Sequence, residues 1–120
     1  MPKLLIVDDE HDILEFGRRF FRRRGVEVET SPSGEDALEK IPVFQPDLVL
    51  LDVTMEKLSG VDVLKWLREQ RNDVAVIMVT GVEEEATINE CNSWGVKGYI
   101  HKPLVLEELE KIVLSELGLK

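Results

Sequence analysis

Short runs of Leu, Ile and Val alternate along the chain with longer stretches in which apolar residues recur every three or four positions. Such alternation predicts βαβ units and a parallel sheet. Strands are expected over Lys3–Val7, Val26–Thr30, Asp47–Leu51, Val74–Thr80 and Gly98–His101. Three of these runs are nearly continuous in apolar residues, as in strands covered on both faces.

Helices are expected over Asp12–Arg24, Gly34–Ile41, Gly60–Gln70, Glu84–Trp94 and Leu106–Leu117. Gly25 and Gly95 stand where left-handed caps end the first and fourth helices. Ser33 can cap the second with Asp36 at its third position, and Pro42 is expected to stop that helix after Ile41. On the first helix Ile13, Phe16, Phe20 and Phe21 recur as a core stripe. Gly17 within it costs about 1 kcal/mol relative to Ala, which points to close packing on a neighbour. Glu83, Glu84 and Glu85 suit the amino end of the fourth helix. Trp66 is expected at the margin of the third helix's apolar face.

Five strands and five helices fit one domain spanning all 120 residues, a doubly wound α/β sandwich. Ligands of such folds bind at the carboxyl ends of the strands. The net charge of −9 argues against direct nucleic-acid binding. No apolar run is long enough for a membrane span, and Leu4–Val7 is too short for a signal peptide, so a cytoplasmic location is expected. The lone Cys91 reads as a buried core residue.

The residues leaving the strands carry the chemistry. Asp8 and Asp9 follow the first, Asp52 the third, Thr80 ends the fourth, and Lys102-Pro103 follow the fifth. Alone, Asp-Asp after a strand is an ordinary solvated turn. Matched groups at four strand ends make a site. Three crowded carboxylates need compensating positive charge, which Lys102 and a divalent cation can supply. Oxygen ligands alone favour Mg²⁺ or Mn²⁺ over zinc. Asp52 can then act as nucleophile toward phosphorus, with Asp8 and Asp9 holding the metal. Lys102 and the Thr80 hydroxyl are placed for phosphoryl oxygens.

Leu5-Ile6-Val7-Asp8-Asp9-Glu10, Leu48-Val49-Leu50-Leu51-Asp52, Val79-Thr80-Gly81 and Gly98-Tyr99-Ile100-His101-Lys102-Pro103 together resemble the receiver domains of two-component response regulators, over essentially the whole chain. The resemblance implies a flavodoxin-like strand order 2-1-3-4-5. It also implies a phosphodonor on a sensor histidine kinase or histidine phosphotransfer protein, a downstream effector, and a surface that can support a phosphorylation-dependent dimer. Within it Asp9 meets the metal directly, Asp8 through water, and the Thr54 backbone carbonyl completes the protein ligands. Pro103 follows a cis bond, and Thr80 with Tyr99 forms a switch pair. Read alone, Tyr99 also fits an ordinary strand aromatic packed on the fourth helix.

Two positions depart from the family pattern: Glu56 follows Met55 where proline is usual, and Ser59 precedes Gly60 where an acid is usual. A Mg²⁺-dependent phosphohydrolase is the rival from another class, but its second carboxylate is missing at Thr54 and no residues remain for a cap. A phosphorylation-independent pseudo-receiver is opposed by the complete set of site residues. Arg18, Arg19, Arg22, Arg23 and Arg24 form a basic stretch on an acidic chain. In the family the first helix packs on the kinase, so Ile13, Phe16, Arg19 and Arg22 are the candidate docking residues.

Overall fold

Each apolar run forms a strand and each periodic stretch a helix. The computed structural model describes residues 1–81 and 84–119. In order they are β1 (Lys3–Val7), α1 (His11–Arg22), β2 (Glu27–Ser31), α2 (Gly34–Phe44), β3 (Leu48–Asp52), α3 (Gly60–Glu69), β4 (Ala75–Thr80), α4 (Glu85–Ser93), β5 (Gly98–His101) and α5 (Leu106–Glu116). The strands form one parallel sheet in the order β2-β1-β3-β4-β5. No helix among the described residues is long and apolar enough to cross a membrane.

Alternate side chains of a strand point to opposite faces, so each central strand feeds two cores. Leu4, Ile6, Leu48, Leu50, Ile77 and Val79 pack with Phe21 of α1 and Leu109 and Val113 of α5. Leu5, Val7, Val49, Leu51, Val76 and Met78 pack with Ala37, Val63, Leu64, Leu67 and Cys91. Cys91 is fully buried, as its composition argument required.

The expected caps form. Gly25 and Gly95 adopt φ of 81° and 77°, and Ser33 Oγ accepts the Asp36 N–H at 3.1 Å. Glu84 is the N-cap of α4 and Glu85 lies in its first turn; Glu83 lies outside the described residues.

The expected end of α2 is wrong. The helix runs past Pro42 to Phe44 and closes on Gln45, whose left-handed backbone donates to the Ile41 carbonyl at 2.9 Å. Proline in a last turn removes one helical bond, and Pro42 is exposed, so packing of Ile41 outweighs the loss.

The core stripe of α1 is also displaced. Leu14, Gly17 and Phe21 are buried, whereas Phe16 is 47% exposed and stacks on Phe20 with ring centroids 5.6 Å apart. Gly17 sets this rotation, because a Cβ there would stand 2.6 Å from Ile6 Cδ1. Close packing at Gly17 was expected; the face it selects was not.

β2 and β3 each sit one residue later than their apolar runs suggested. For β3 the cause is the neighbouring strand, whose pairing extends through Asp52 opposite Val79. Asp52 therefore ends the strand rather than following it.

Candidate functional site

The carboxyl edge of the sheet gathers the polar residues that leave β1, β3, β4 and β5. Asp8, Asp52 and Thr80 are each 2% exposed, while Asp9 faces solvent. Asp8, Asp9 and Asp52 each offer a carboxylate oxygen within 4.8 Å of the others. The sheet register produces this convergence: Val7 pairs with Leu51, and Asp52 with Val79.

Among the described residues one cation serves the cluster. Lys102 Nζ lies 3.1 Å from Asp52 Oδ2, 3.5 Å from Asp8 Oδ2 and 3.5 Å from Glu10 Oε1. Its backbone is tied to the same edge, since the Lys102 N–H donates to the Thr80 carbonyl at 2.8 Å. The Lys102–Pro103 bond is cis.

Two backbone donors fix the buried acids. The Glu10 N–H donates to Asp8 Oδ1 at 2.9 Å, and the Thr54 N–H to Asp52 Oδ1 at 3.2 Å. Burial still raises both carboxyls. For Asp52, desolvation and then the Asp8 charge outweigh Lys102 and Thr54, and push the pKa up to about 6. Asp8 is raised mainly by desolvation, against the Glu10 N–H and Lys102. Lys102 is raised too: burial alone would lower it, but its bond to Asp52 and the charges of Asp52, Asp8 and Glu10 prevail.

The β3–α3 loop is held by close backbone contact. Gly60 N–H donates to the Val53 carbonyl at 2.9 Å, and a Cβ on Gly60 would meet the Asp52 carbonyl at 2.1 Å. Thr54 is exposed within this loop, between the buried Val53 and Met55. The departure at Ser59 builds a capping box: Ser59 Oγ accepts the Asp62 N–H at 3.2 Å, and Asp62 Oδ2 accepts the Ser59 N–H at 3.1 Å. The Ser-x-x-Asp spacing was readable from the sequence. Glu56 is exposed.

Tyr99 stands apart from the acids. Its hydroxyl donates toward α4, 2.9 Å from the Ile88 carbonyl and 3.0 Å from Asn92 Oδ1. Burial, then Cys91, pushes its pKa up to about 12. Arg68, which sequence reasoning passed over, fastens the opposite end of α4. Nε and Nη2 donate to the Trp94 and Gly95 carbonyls, each at 2.7 Å, while Nη1 donates to Asn72 and Val74. Hydrogen bonds to backbone carbonyls leave no pattern in sequence.

Of the candidate docking residues, Ile13 is half-buried and Phe16 exposed. Arg19 has 76% of its side chain in solvent, 3.9 Å from Glu15. Arg22 instead donates to the Val28 carbonyl at 3.2 Å, tying α1 to β2.

The residues from 4 to 114 match the family model of the response regulator receiver domain. The chain belongs to that family. This receiver domain is 36% identical to the Bacillus subtilis alkaline phosphatase synthesis transcriptional regulatory protein PhoP, over 96% of its own length and 48% of that protein. It is 33% identical to Escherichia coli regulatory protein AtoC, over 98% of its length and 26% of AtoC. The receiver domain thus spans half or less of these curated relatives. Among solved structures, Vibrio cholerae chemotaxis protein CheY4 matches with a TM-score of 0.89 and 29% identity, covering 98% of this chain and 99% of that one. Thermotoga maritima TrrA, solved in complex with Mg²⁺ and BeF, matches with a TM-score of 0.83 and 32% identity, covering 98% and 100%. These neighbours share the observed strand order and helix arrangement.

The donor set suits a hard cation. Among the described residues Lys102 is the cation paired with Asp8, Asp52 and Glu10, so the cluster keeps excess negative charge, and Asp8, Asp9 and Asp52 offer an ion carboxylate oxygens.

Proposed function

We propose that this receiver domain accepts a phosphoryl group on Asp52 from a phosphohistidine of a sensor kinase or phosphotransfer protein, and that the modification alters a partner-binding face. The observation carrying this reading is Lys102 Nζ at 3.1 Å from the buried Asp52 Oδ2. A carboxylate held between an ammonium and a second acid is oriented for attack yet short of compensating charge.

In the transfer an Asp52 carboxylate oxygen forms the P–O bond while the P–N bond of the phosphohistidine breaks, and the imidazole leaves with the electron pair. Lys102 exchanges part of its contact with Asp52 for a phosphoryl oxygen. The Thr80 hydroxyl supplies another hydrogen bond. Asp8, Asp9 and the Thr54 carbonyl would hold Mg²⁺ with Asp52, and the bound ion would neutralise charge on the phosphoryl oxygens. The donor set and the Mg²⁺–BeF complex of TrrA support that choice.

Thr80 and Tyr99 carry the signal onward. Drawing the Thr80 hydroxyl toward Asp52 opens space for the Tyr99 ring, whose departure breaks its bond to the Ile88 carbonyl and loosens α4. Phosphorylation biases this two-state equilibrium rather than creating a new state. The altered face binds a downstream effector, consistent with the relative PhoP, a transcriptional regulatory protein. Docking of the kinase uses Ile13, Phe16 and Arg19 on α1, with Arg22 chiefly holding that helix to β2.

Fluorine spectroscopy with Mg²⁺ and beryllofluoride tests the site. Bound fluorine signals that require Mg²⁺ and vanish in Asp52→Asn support the reading; bound signals that survive Asp52→Asn refute it.

A further inference from the structure

The phosphoryl chemistry does not use an apolar hollow that lies beside the site. A cavity of about 280 Å³ lies on the α1/α5 face of the sheet. Its floor is the buried Ile6, Leu50 and Val79. One wall is α1, with Gly17 and Phe21 deep and Ile13 and Phe16 toward solvent; the other is Leu104, Leu106 and Leu109. Phe16 and Leu106, 47% and 44% exposed, flank the mouth. Native cores seldom leave voids larger than a water molecule. Apolar voids stay dry, and one of about 150 Å³ suffices for benzene. The volume here suits a bicyclic aromatic of roughly ten heavy atoms.

The polar lining residues are both acids. Asp12 is exposed in the first turn of α1, and Asp8 adjoins the inner end. Asp8 already faces the Lys102 ammonium at 3.5 Å, so the exposed Asp12, on a chain of net charge −9, is the group that repels an anion and favours an ammonium. We propose that this cavity binds a small aromatic amine, with the ring between α1 and α5 and the ammonium toward Asp12.

Position couples the occupant to the acid cluster. The β1 residues lining the cavity run directly into Asp8, and Leu104 lies two residues beyond Lys102. A cation there lowers the demand of the acids for Mg²⁺, and linkage makes the effect reciprocal. This coupling rests on the proposed metal site, whereas binding of the amine does not.

Tryptamine, indole and indole-3-acetate share one ring system and differ in charge. Titrated without metal into isotope-labelled protein, tryptamine should give saturable shifts at Gly17, Leu104 and Leu109, binding tighter than indole, with indole-3-acetate weakest. Leu106→Trp, which fills the mouth from an exposed position, should abolish the shifts while preserving the rest of the spectrum. Absence of saturable shifts at millimolar tryptamine, indole-3-acetate binding as tightly, or unchanged binding in Leu106→Trp overturns the proposal. The first of these results would leave the hollow to a partner's side chain. Saturating tryptamine should weaken Mg²⁺ binding roughly fivefold, and unaltered Mg²⁺ affinity overturns the coupling. Failure of Mg²⁺ to bind even without amine overturns the metal reading instead, since the ligand titration contains no metal.

Discussion

Lys102 Nζ stands 3.1 Å from Asp52 Oδ2, joining the end of β3 to the residue that follows β5 across 50 positions of sequence. The same ammonium reaches Asp8 and Glu10. Lys102→Met should therefore raise the pKa of Asp52 further, because the group lowering it is lost while burial and Asp8 remain. Carboxyl chemical shifts of Asp52 followed against pH would show this; an unmoved titration would mean that Lys102 does not govern the acid.

Stability should fall as pH rises through this acid's range. Between the ordinary value of 3.8 and about 6 the folded protein binds more protons at Asp52 than the unfolded chain does. In metal-free buffer Asp52→Asn should thus be more stable than wild type at pH 7, by up to about 3 kcal/mol, with the advantage vanishing near pH 4. Mg²⁺ should narrow the gap at pH 7 by binding the wild-type cluster. Urea unfolding at several pH values, with chelator and then with Mg²⁺, checks both parts.

Much of this arrangement was legible beforehand because strand ends are marked by chemistry. Asp8, Asp52, Thr80 and Lys102 each close or follow an apolar run, and a parallel sheet brings such ends to one edge. The position of Asp52 within β3 depended on pairing with β4, which no property of its own run reveals. Pro42 carries a stop signal that packing of Ile41 overrode. Phe16 belongs to an apolar stripe by spacing, but the approach of Gly17 to Ile6 turned it outward. The Arg68 clamp was invisible, as its acceptors are backbone atoms.

That clamp yields a stability test. Arg68 donates to four backbone carbonyls from α3 across to the end of α4. Arg68→Ala should cost about 2 kcal/mol, in the range for bonds from a charged donor. Exchange of the Trp94 and Gly95 amides should quicken beyond the global loss. A variant within a few tenths of wild type would show the clamp to be dispensable.

Tyr99→Phe removes only the hydroxyl that reaches Ile88. The expected loss is about 1 kcal/mol, with faster amide exchange across Glu85–Ser93 of α4 in the unmodified protein. Unchanged exchange would separate Tyr99 from control of α4.

Arg19→Glu reverses an exposed charge without breaking a bond to the sheet. It should slow phosphotransfer from the cognate kinase, most at low salt, where steering is strongest. Phosphorylation by a small acyl-phosphate should stay unchanged. Equal slowing with both donors would place the defect in the site or the fold.

The role of Asp52 is tested most directly by intact-mass and peptide-mass measurement after incubation with Mg²⁺ and a small acyl-phosphate. One base-labile phosphoryl group on the peptide containing Asp52 is expected, absent without Mg²⁺ and absent in Asp52→Asn. A stoichiometric phosphoryl group on another residue, or one that persists in Asp52→Asn, would contradict the assignment.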